Sequence, residues 1–277
     1  MKRYLITVTA AAAIILSILF SPAGGAYPYT MPNPGDFTDT SKKTEVPCGT
    51  AMKGKTMVAL VFGQSNSANH GESPLATKRN VYNFYDNKCY VAADPLLGTT
   101  GGGGSVWTRL GDKLIESGMY DNVIFVTIGV GGTPIRRWAP GGDLNLRISD
   151  VVRQLKKKKI RPTHLFWHQG ESDRWDKTPK EDYKRMFVDM LAQIRKLGID
   201  APVYVAVATR CGSAGPGYDV QFAQRELVNP ALGIFPGAYS DELLGIEDRH
   251  DGCHFSTAGL LKHAEMWFQA IKLSGKN

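Results

Sequence analysis

The stretch MVALVFGQSN, residues 57–66, decides the fold. Six apolar residues end at Phe62 and meet Gly63, the pattern of a strand buried on both faces whose C-terminal end runs into a tight turn. Val123–Ile128 (VIFVTI), His164–Trp167 and Val203–Ala208 repeat it. Helical spacing fills the gaps: Val106, Leu110 and Leu114 before Gly118, then Ile148, Val151, Val152 and Leu155. Thr178-Pro179-Lys180-Glu181 reads as a capping box that opens a helix through Tyr183, Phe187, Met190 and Ile194, closed by Gly198. A last helix is expected from about Thr257, with Leu260, Ala264, Trp267 and Ile271 on one face. Strands alternating with helices predict a three-layer α/β/α sandwich with a mainly parallel central sheet, which binds ligands at the strands' C-terminal edge.

Upstream of this core, Lys2 and Arg3 precede an apolar run from Leu5 to Phe20 and the small residues SPAGGA ending at Ala26. Residues 1–26 therefore read as a signal peptide, which predicts a secreted or periplasmic protein with no stable membrane insertion after cleavage. Residues 27–47, rich in Pro, Thr, Asp and Lys, read as an extended leader, and 48–277 as one domain. Cys48, Cys89, Cys211 and Cys253 form an even set in a compartment that permits disulfides, and none lies in a metal-binding pattern. Three pairings are possible; Cys48 with Cys89 and Cys211 with Cys253 is the one expected. The net charge of +7 is not gathered into a nucleic-acid-binding module, so no nucleic acid partner is expected.

Polar clusters follow three of the four strands: Gly63-Gln64-Ser65-Asn66, then 129–133 (GVGGT), then 168–173 (HQGESD). Ser65, on a glycine-containing turn between strand and helix, suits nucleophilic attack, because the turn exposes the hydroxyl and neighbouring N–H groups can meet an oxyanion. Standing alone it would read as a helix cap. A serine needs a base, and Asp251-Gly252-Cys253-His254 supplies a D-x-x-H turn that can set a carboxylate on Nδ1 and leave Nε2 for the serine. His250 precedes the carboxylate and lacks this arrangement.

Together these stretches resemble the SGNH hydrolase superfamily, flavodoxin-like in fold, and within it carbohydrate esterases similar to sialate O-acetylesterases and acetylxylan esterases. The resemblance rests on GQSN at 63–66, GGTPIRRW at 131–138, WHQGESD at 167–173 and DGCHFSTAG at 251–259. It implies Ser65 as nucleophile, His254 as general base, and an oxyanion hole from Ser65 N–H, Gly131 N–H and the Gln169 amide, with Gly132 the alternative to Gly131. Two carboxylates compete for the acidic role: Asp251, which the D-x-x-H spacing favours, and Glu171 of the HQGE segment, which otherwise orients His254 or braces the Gln169 loop. The implied substrate is an acetylated carbohydrate, polysaccharide or sialic acid, with no metal or organic cofactor. The alternatives are an esterase or thioesterase on non-carbohydrate acyl esters, or a noncatalytic carbohydrate-binding protein of the same fold.

Other features read as structural. His164 and His168 flank a strand instead of sharing a helix face as a zinc pair would. Lys156–Lys159 close a helix, where cations suit the dipole. The Gly101–Gly104 run reads as a flexible surface loop, lacking the Lys-Ser/Thr of a phosphate cradle. Trp138 and Trp175 either pack under the loops or offer a face to a sugar.

Overall fold

The 57–62 run is a strand covered on both faces, in a computed structural model that describes residues 35–213 and 215–275. The signal-peptide segment and residues 27–34 lie outside the described residues. The strands are β1 (Glu45–Val46), β2 (Thr56–Gly63), β3 (Val81–Tyr85), β4 (Lys88–Val91), β5 (Asn122–Thr127), β6 (His164–His168), β7 (Val203–Val207) and β8 (Ile234–Tyr239), in the order β1-β4-β3-β5-β2-β6-β7-β8. From β3 to β8 the sheet is parallel; β4 and β1 add an antiparallel edge. The helices are α1 (Cys48–Ala51), α2 (Val106–Glu116), α3 (Asn145–Lys157), α4 (Glu171–Asp176), α5 (Lys180–Lys196), α6 (Tyr218–Glu226) and α7 (Thr257–Ser274).

Alternation along β2 assigns the two layers. Val58, Leu60 and Phe62 pack with Ile148 and Val151 of α3 and Phe187 and Met190 of α5. Met57, Ala59 and Val61 pack with Trp107 and Leu110 of α2 and Trp267 of α7. This is the expected sandwich. Because β2 sits between β5 and β6, the loops leaving these three strands gather at one edge.

Four strands escaped the sequence reading. The β3–β4 hairpin turns on Asp86 and Asn87, both at positive φ (44° and 61°), and its short strands carry no long apolar run. Edge strand β8 contains Pro236 and Gly237, which blur its pattern, and β1 is a two-residue pairing inside the predicted leader. That leader runs along the domain: Asp36 forms a buried two-pronged ion pair with Arg147 at 2.7 and 2.9 Å, and Phe37 N–H donates to Thr99 O at 2.9 Å.

The capping box at 178–181 does not form. Thr178 Oγ1 donates to Asp173 Oδ1 at 2.6 Å, and α5 starts at Lys180 without a side-chain cap. A buried carboxylate is the stronger acceptor for that hydroxyl. Start of α7 follows expectation, Ser256 Oγ accepting Gly259 N–H at 3.0 Å. Both disulfides join as expected, Cys48–Cys89 tying α1 to β4 and Cys211–Cys253 tying the loop after β7 to the turn before α7. No described helix is long and apolar enough to cross a membrane.

Candidate active site

Gly63 ends β2 at φ +130°, and a Cβ there would lie 2.1 Å from the His168 carbonyl oxygen. Glycine lets β2 and β6 close at their ends, where Gln64 N–H donates to the same oxygen at 3.0 Å. The chain then makes a single 3-10 turn, Ser65–Ser67, that sets Ser65 in a cleft of about 650 Å³. Gly131, Gly132, Glu171, Trp175 and His254 line the same cleft.

His254 arrives on the turn before α7. Asp251 Oδ1 accepts the N–H groups of Cys253 and His254 at 2.8 and 2.6 Å, and its Oδ2 accepts His254 Nδ1–H at 2.7 Å. Burial works against ionisation of Asp251, but the bonds from His254 and Cys253 outweigh it and hold the carboxyl well below its usual range. With its proton on Nδ1, the imidazole keeps the Nε2 lone pair for a proton from elsewhere. Among the described residues no hydrogen bond links Ser65 Oγ to His254 Nε2; the two share the cleft.

Glu171 also borders the cleft, 2% exposed, but has no bond to His254. Its Oε1 accepts Asn66 Nδ2–H at 2.8 Å, Oε2 has no partner, and burial pushes its pKa up to about 7 against that bond. Asn66 Nδ2 also reaches Cys253 O at 3.3 Å, as does Arg249 Nη1 at 2.5 Å. Asn66 thus ties the serine turn to both Glu171 and the histidine turn. The two arginines of the GGTPIRRW segment pair with other carboxylates, Arg136 with Asp176 and Arg137 with Asp143.

Gly131 N–H, an expected oxyanion donor, is held by Thr100 Oγ1 at 2.8 Å, whereas the Gly132 amide has no partner among the described residues. Gln169 lies beneath the cleft, fully buried, instead of lining it. Its Nε2 donates to Asp173 Oδ2 at 2.5 Å and Thr133 O at 3.1 Å, and its Oε1 accepts Tyr183 O–H at 3.1 Å. It braces the loops after β5 and β6 to α5.

Among the cleft residues without a role in the sequence reading are Gln64, His70 and Thr100. Gln64 sat in plain view inside GQSN, while the other two become neighbours of the site only through long-range folding. The Gly101–Gly104 run is pinned instead of loose: Gly103 N–H donates to Asn69 O at 2.8 Å, and Gly71 and Gly104 exchange bonds at 2.9 and 2.7 Å. Gly101, at φ +93°, would place a Cβ 2.4 Å from Asn69 O, so this loop follows the serine turn closely.

The two tryptophans divide. Trp138 is fully buried and donates to Thr133 Oγ1 at 3.0 Å. Trp175 is 58% exposed at the cleft wall, with the Arg174 guanidinium 4.4 Å from its ring centre. His164 and His168 are buried on β6, His164 Nδ1 against Thr163 Oγ1 and His168 Nε2 against Ser240 Oγ. Among the described residues, the donor atoms that gather closely enough for a metal are those of His250, Asp251 and His254, within 4.8 Å, where His254 already holds Asp251.

Comparison with known proteins places these observations in a family. The carbohydrate esterase family described as sialic acid-specific acetylesterase matches residues 55–272. Among solved structures, a protein from Arabidopsis thaliana is similar at 17% identity and TM-score 0.64, covering 80% of this chain and 100% of its own. A GDSL-like lipase, so described, from Parabacteroides merdae has 15% identity and TM-score 0.55, over 79% of this chain and 97% of its own. A carbohydrate acetylesterase from Xanthomonas citri has 18% identity and TM-score 0.53, over 78% of this chain and 56% of its own. No curated protein matches the sequence. At these identities the structures speak for the shared three-layer α/β fold, and the family match for the chemistry. The chain belongs to the sialic acid-specific acetylesterase family of carbohydrate esterases and is a carboxylic ester hydrolase.

Proposed function

We propose that the protein is a secreted serine esterase that removes O-acetyl groups from carbohydrates through an acetyl-serine intermediate. The observation that carries this reading is the Asp251–His254 pair at 2.7 Å, on the wall of the cleft that contains Ser65. Ser65 Oγ attacks the acetyl carbonyl carbon, its proton passes to His254 Nε2, and the carbonyl electron pair moves onto oxygen. Asp251 holds the imidazolium that results. Ser65 N–H and a glycine amide meet the oxyanion, and the open amide of Gly132 favours it over Gly131. Collapse returns the pair to carbon and expels the sugar oxygen, which takes the proton from His254. Water then repeats the sequence on the acetyl-serine and releases acetate.

Secretion is supported by the signal-peptide pattern at 1–26 and by two disulfides, which suit an oxidising compartment. The acetyl group and the carbohydrate, polysaccharide or sialic acid, follow from the family.

The test is acetate release by the mature protein from acetylated xylan, O-acetylated sialic acid and a chromogenic acetyl ester, beside Ser65→Ala. Release that vanishes in Ser65→Ala supports the reading and ranks the substrates. Release that survives in the variant, or none from any substrate by folded protein, overturns it.

A further inference from the structure

We propose that Gln64 is a catalytic residue of this site, its side-chain Nε2–H donating to the oxyanion, and that Gln169 is the residue that positions it. The inference rests on the serine esterase reading above. Gln64 is only 3% exposed yet lines the cleft immediately before Ser65. Its Oε1 accepts Ser172 N–H at 3.0 Å and faces Gln169 Nε2–H at 3.3 Å. The Ser172 backbone N–H cannot reverse, so the Gln64 atom that meets it must be the oxygen. The amide nitrogen is thereby fixed at the other end of the plane. Among the described residues it has no acceptor, and it is not sealed in the interior. A side chain this buried, anchored through its oxygen with both N–H groups free on the cleft side, is a preorganised donor for charge that develops only in the transition state.

Gln169 cannot take that role without loss. Its nitrogen is committed to Asp173 Oδ2 and Thr133 O, and its Oε1 to Tyr183 O–H. Rotating the amide into the cleft would strip the buried Asp173 carboxylate and Thr133 O of a donor. In place, Gln169 fixes Thr133 of the glycine turn and leans on Gln64 Oε1, so one buried amide orients two walls of the oxyanion site. During attack, the bond from Ser65 Oγ to the acetyl carbon forms and the carbonyl pair moves to oxygen. Gln64 Nε2–H shares its hydrogen with that oxygen and transfers no proton.

The experiment compares wild type, Gln64→Glu, Gln169→Met and the double variant by kcat and KM on a chromogenic acetyl ester. In parallel, the rate at which a fluorophosphonate labels Ser65 is read by intact mass. Gln64→Glu keeps an oxygen for Ser172 N–H and replaces the donor with a second, negatively charged oxygen. It should lower kcat and the labelling rate roughly 100- to 1,000-fold, with KM within about threefold. Gln169→Met should cost less, and the double variant should be no slower than Gln64→Glu alone. If Gln64→Glu melts early, Gln64→Met, which carries no charge, serves as the second donor deletion with the same expectation. Rates within tenfold of wild type in the folded Gln64 variants overturn the proposal. So does the reverse order, a large loss in Gln169→Met with a small one in Gln64→Glu. Wild type that neither labels at Ser65 nor turns over would instead bring down the esterase reading on which the proposal rests.

Discussion

The imidazole of His70 stacks on that of His254, with ring centres 5.2 Å apart and planes 25° from parallel. Its Nε2 lies 3.1 Å from Thr100 Oγ1, the same hydroxyl that accepts Gly131 N–H. Burial, reinforced by the neighbouring His254 and opposed by Asp251, pushes His70 down to about 4. His168 is pushed to about 3 by burial and by Arg249, and His263 is lowered in the same way.

These histidines set the acid stability. An unfolded chain carries imidazoles near 6.5, so between about pH 6.5 and 4 it binds more protons than the folded chain, and stability falls as pH is lowered through that window. Glu171 opposes this: with its folded value raised to about 7, it favours the folded chain as pH drops from 7 towards the unfolded value near 4.5. Burial raises Asp94, Asp112 and Asp173 as well, which act in the same sense as Glu171 from their lower unfolded values near 3.8, while the three histidines act across the whole window. Melting measured from pH 7 to 4.5 should show Tm falling, and falling less steeply in His70→Phe. A Tm that is flat or rising over this range in wild type contradicts the assignment.

Asp251 and Glu171 separate by substitution. Asp251→Asn disrupts the bond that holds the His254 tautomer and should lower kcat roughly 10³- to 10⁴-fold. Glu171→Gln keeps an oxygen for Asn66 and should cost less than tenfold. Equal losses would make Glu171 part of the charge relay instead of a brace.

Reduction of the Cys211–Cys253 bridge should act on the same turn. Cys253 N–H is one of the donors to Asp251, and both cysteines border the cleft. Breaking a disulfide of this kind costs about 2–4 kcal/mol, which at roughly 2–4 °C per kcal/mol for a chain of this size lowers Tm by about 4–16 °C. Activity in mild reductant, followed beside Tm and thiol counting, should fall as Cys211 and Cys253 become free. Full activity with both thiols titratable would show that Asn66 and Arg249 hold the turn unaided.

Trp175 is the exposed aromatic on the cleft wall, and its loss should be felt by large substrates only. Removing one stacking face, worth about 1 kcal/mol, should raise KM for an acetylated oligosaccharide about fivefold in Trp175→Ala. KM for a small chromogenic ester should stay within twofold. An equal change for both substrates would place Trp175 at the acyl group itself.

The buried Arg147–Asp36 pair gives a test of the N-terminal segment. Asp36→Ala leaves a guanidinium at 1% exposure without its carboxylate, and such losses cost about 3–5 kcal/mol. Thermal melting should drop by roughly 6–20 °C, with Ser65 labelling preserved below the new transition. An unchanged Tm would mean that residues 35–47 add nothing to the folded domain.

The sequence by itself determined what short-range pattern can encode. The MVALVF run, its three repeats and the amphipathic faces of α2, α3, α5 and α7 announced the layered fold, because burial on one or two faces leaves a period in the chain. The D-x-x-H turn was equally legible, since Asp251 and His254 meet through two local bonds, with a third from Cys253 N–H. Tertiary structure alone decided which donors face the cleft. Thr178 and Glu181 spell a capping box, yet the buried Asp173 takes the threonine hydroxyl. Gln64 and Gln169 carry the same amide, yet Tyr183, Asp173 and Thr133, brought from α4, α5 and the loop after β5, turn one inward and leave the nitrogen of the other free. An amide has no intrinsic direction; the buried partners that long-range folding delivers choose it.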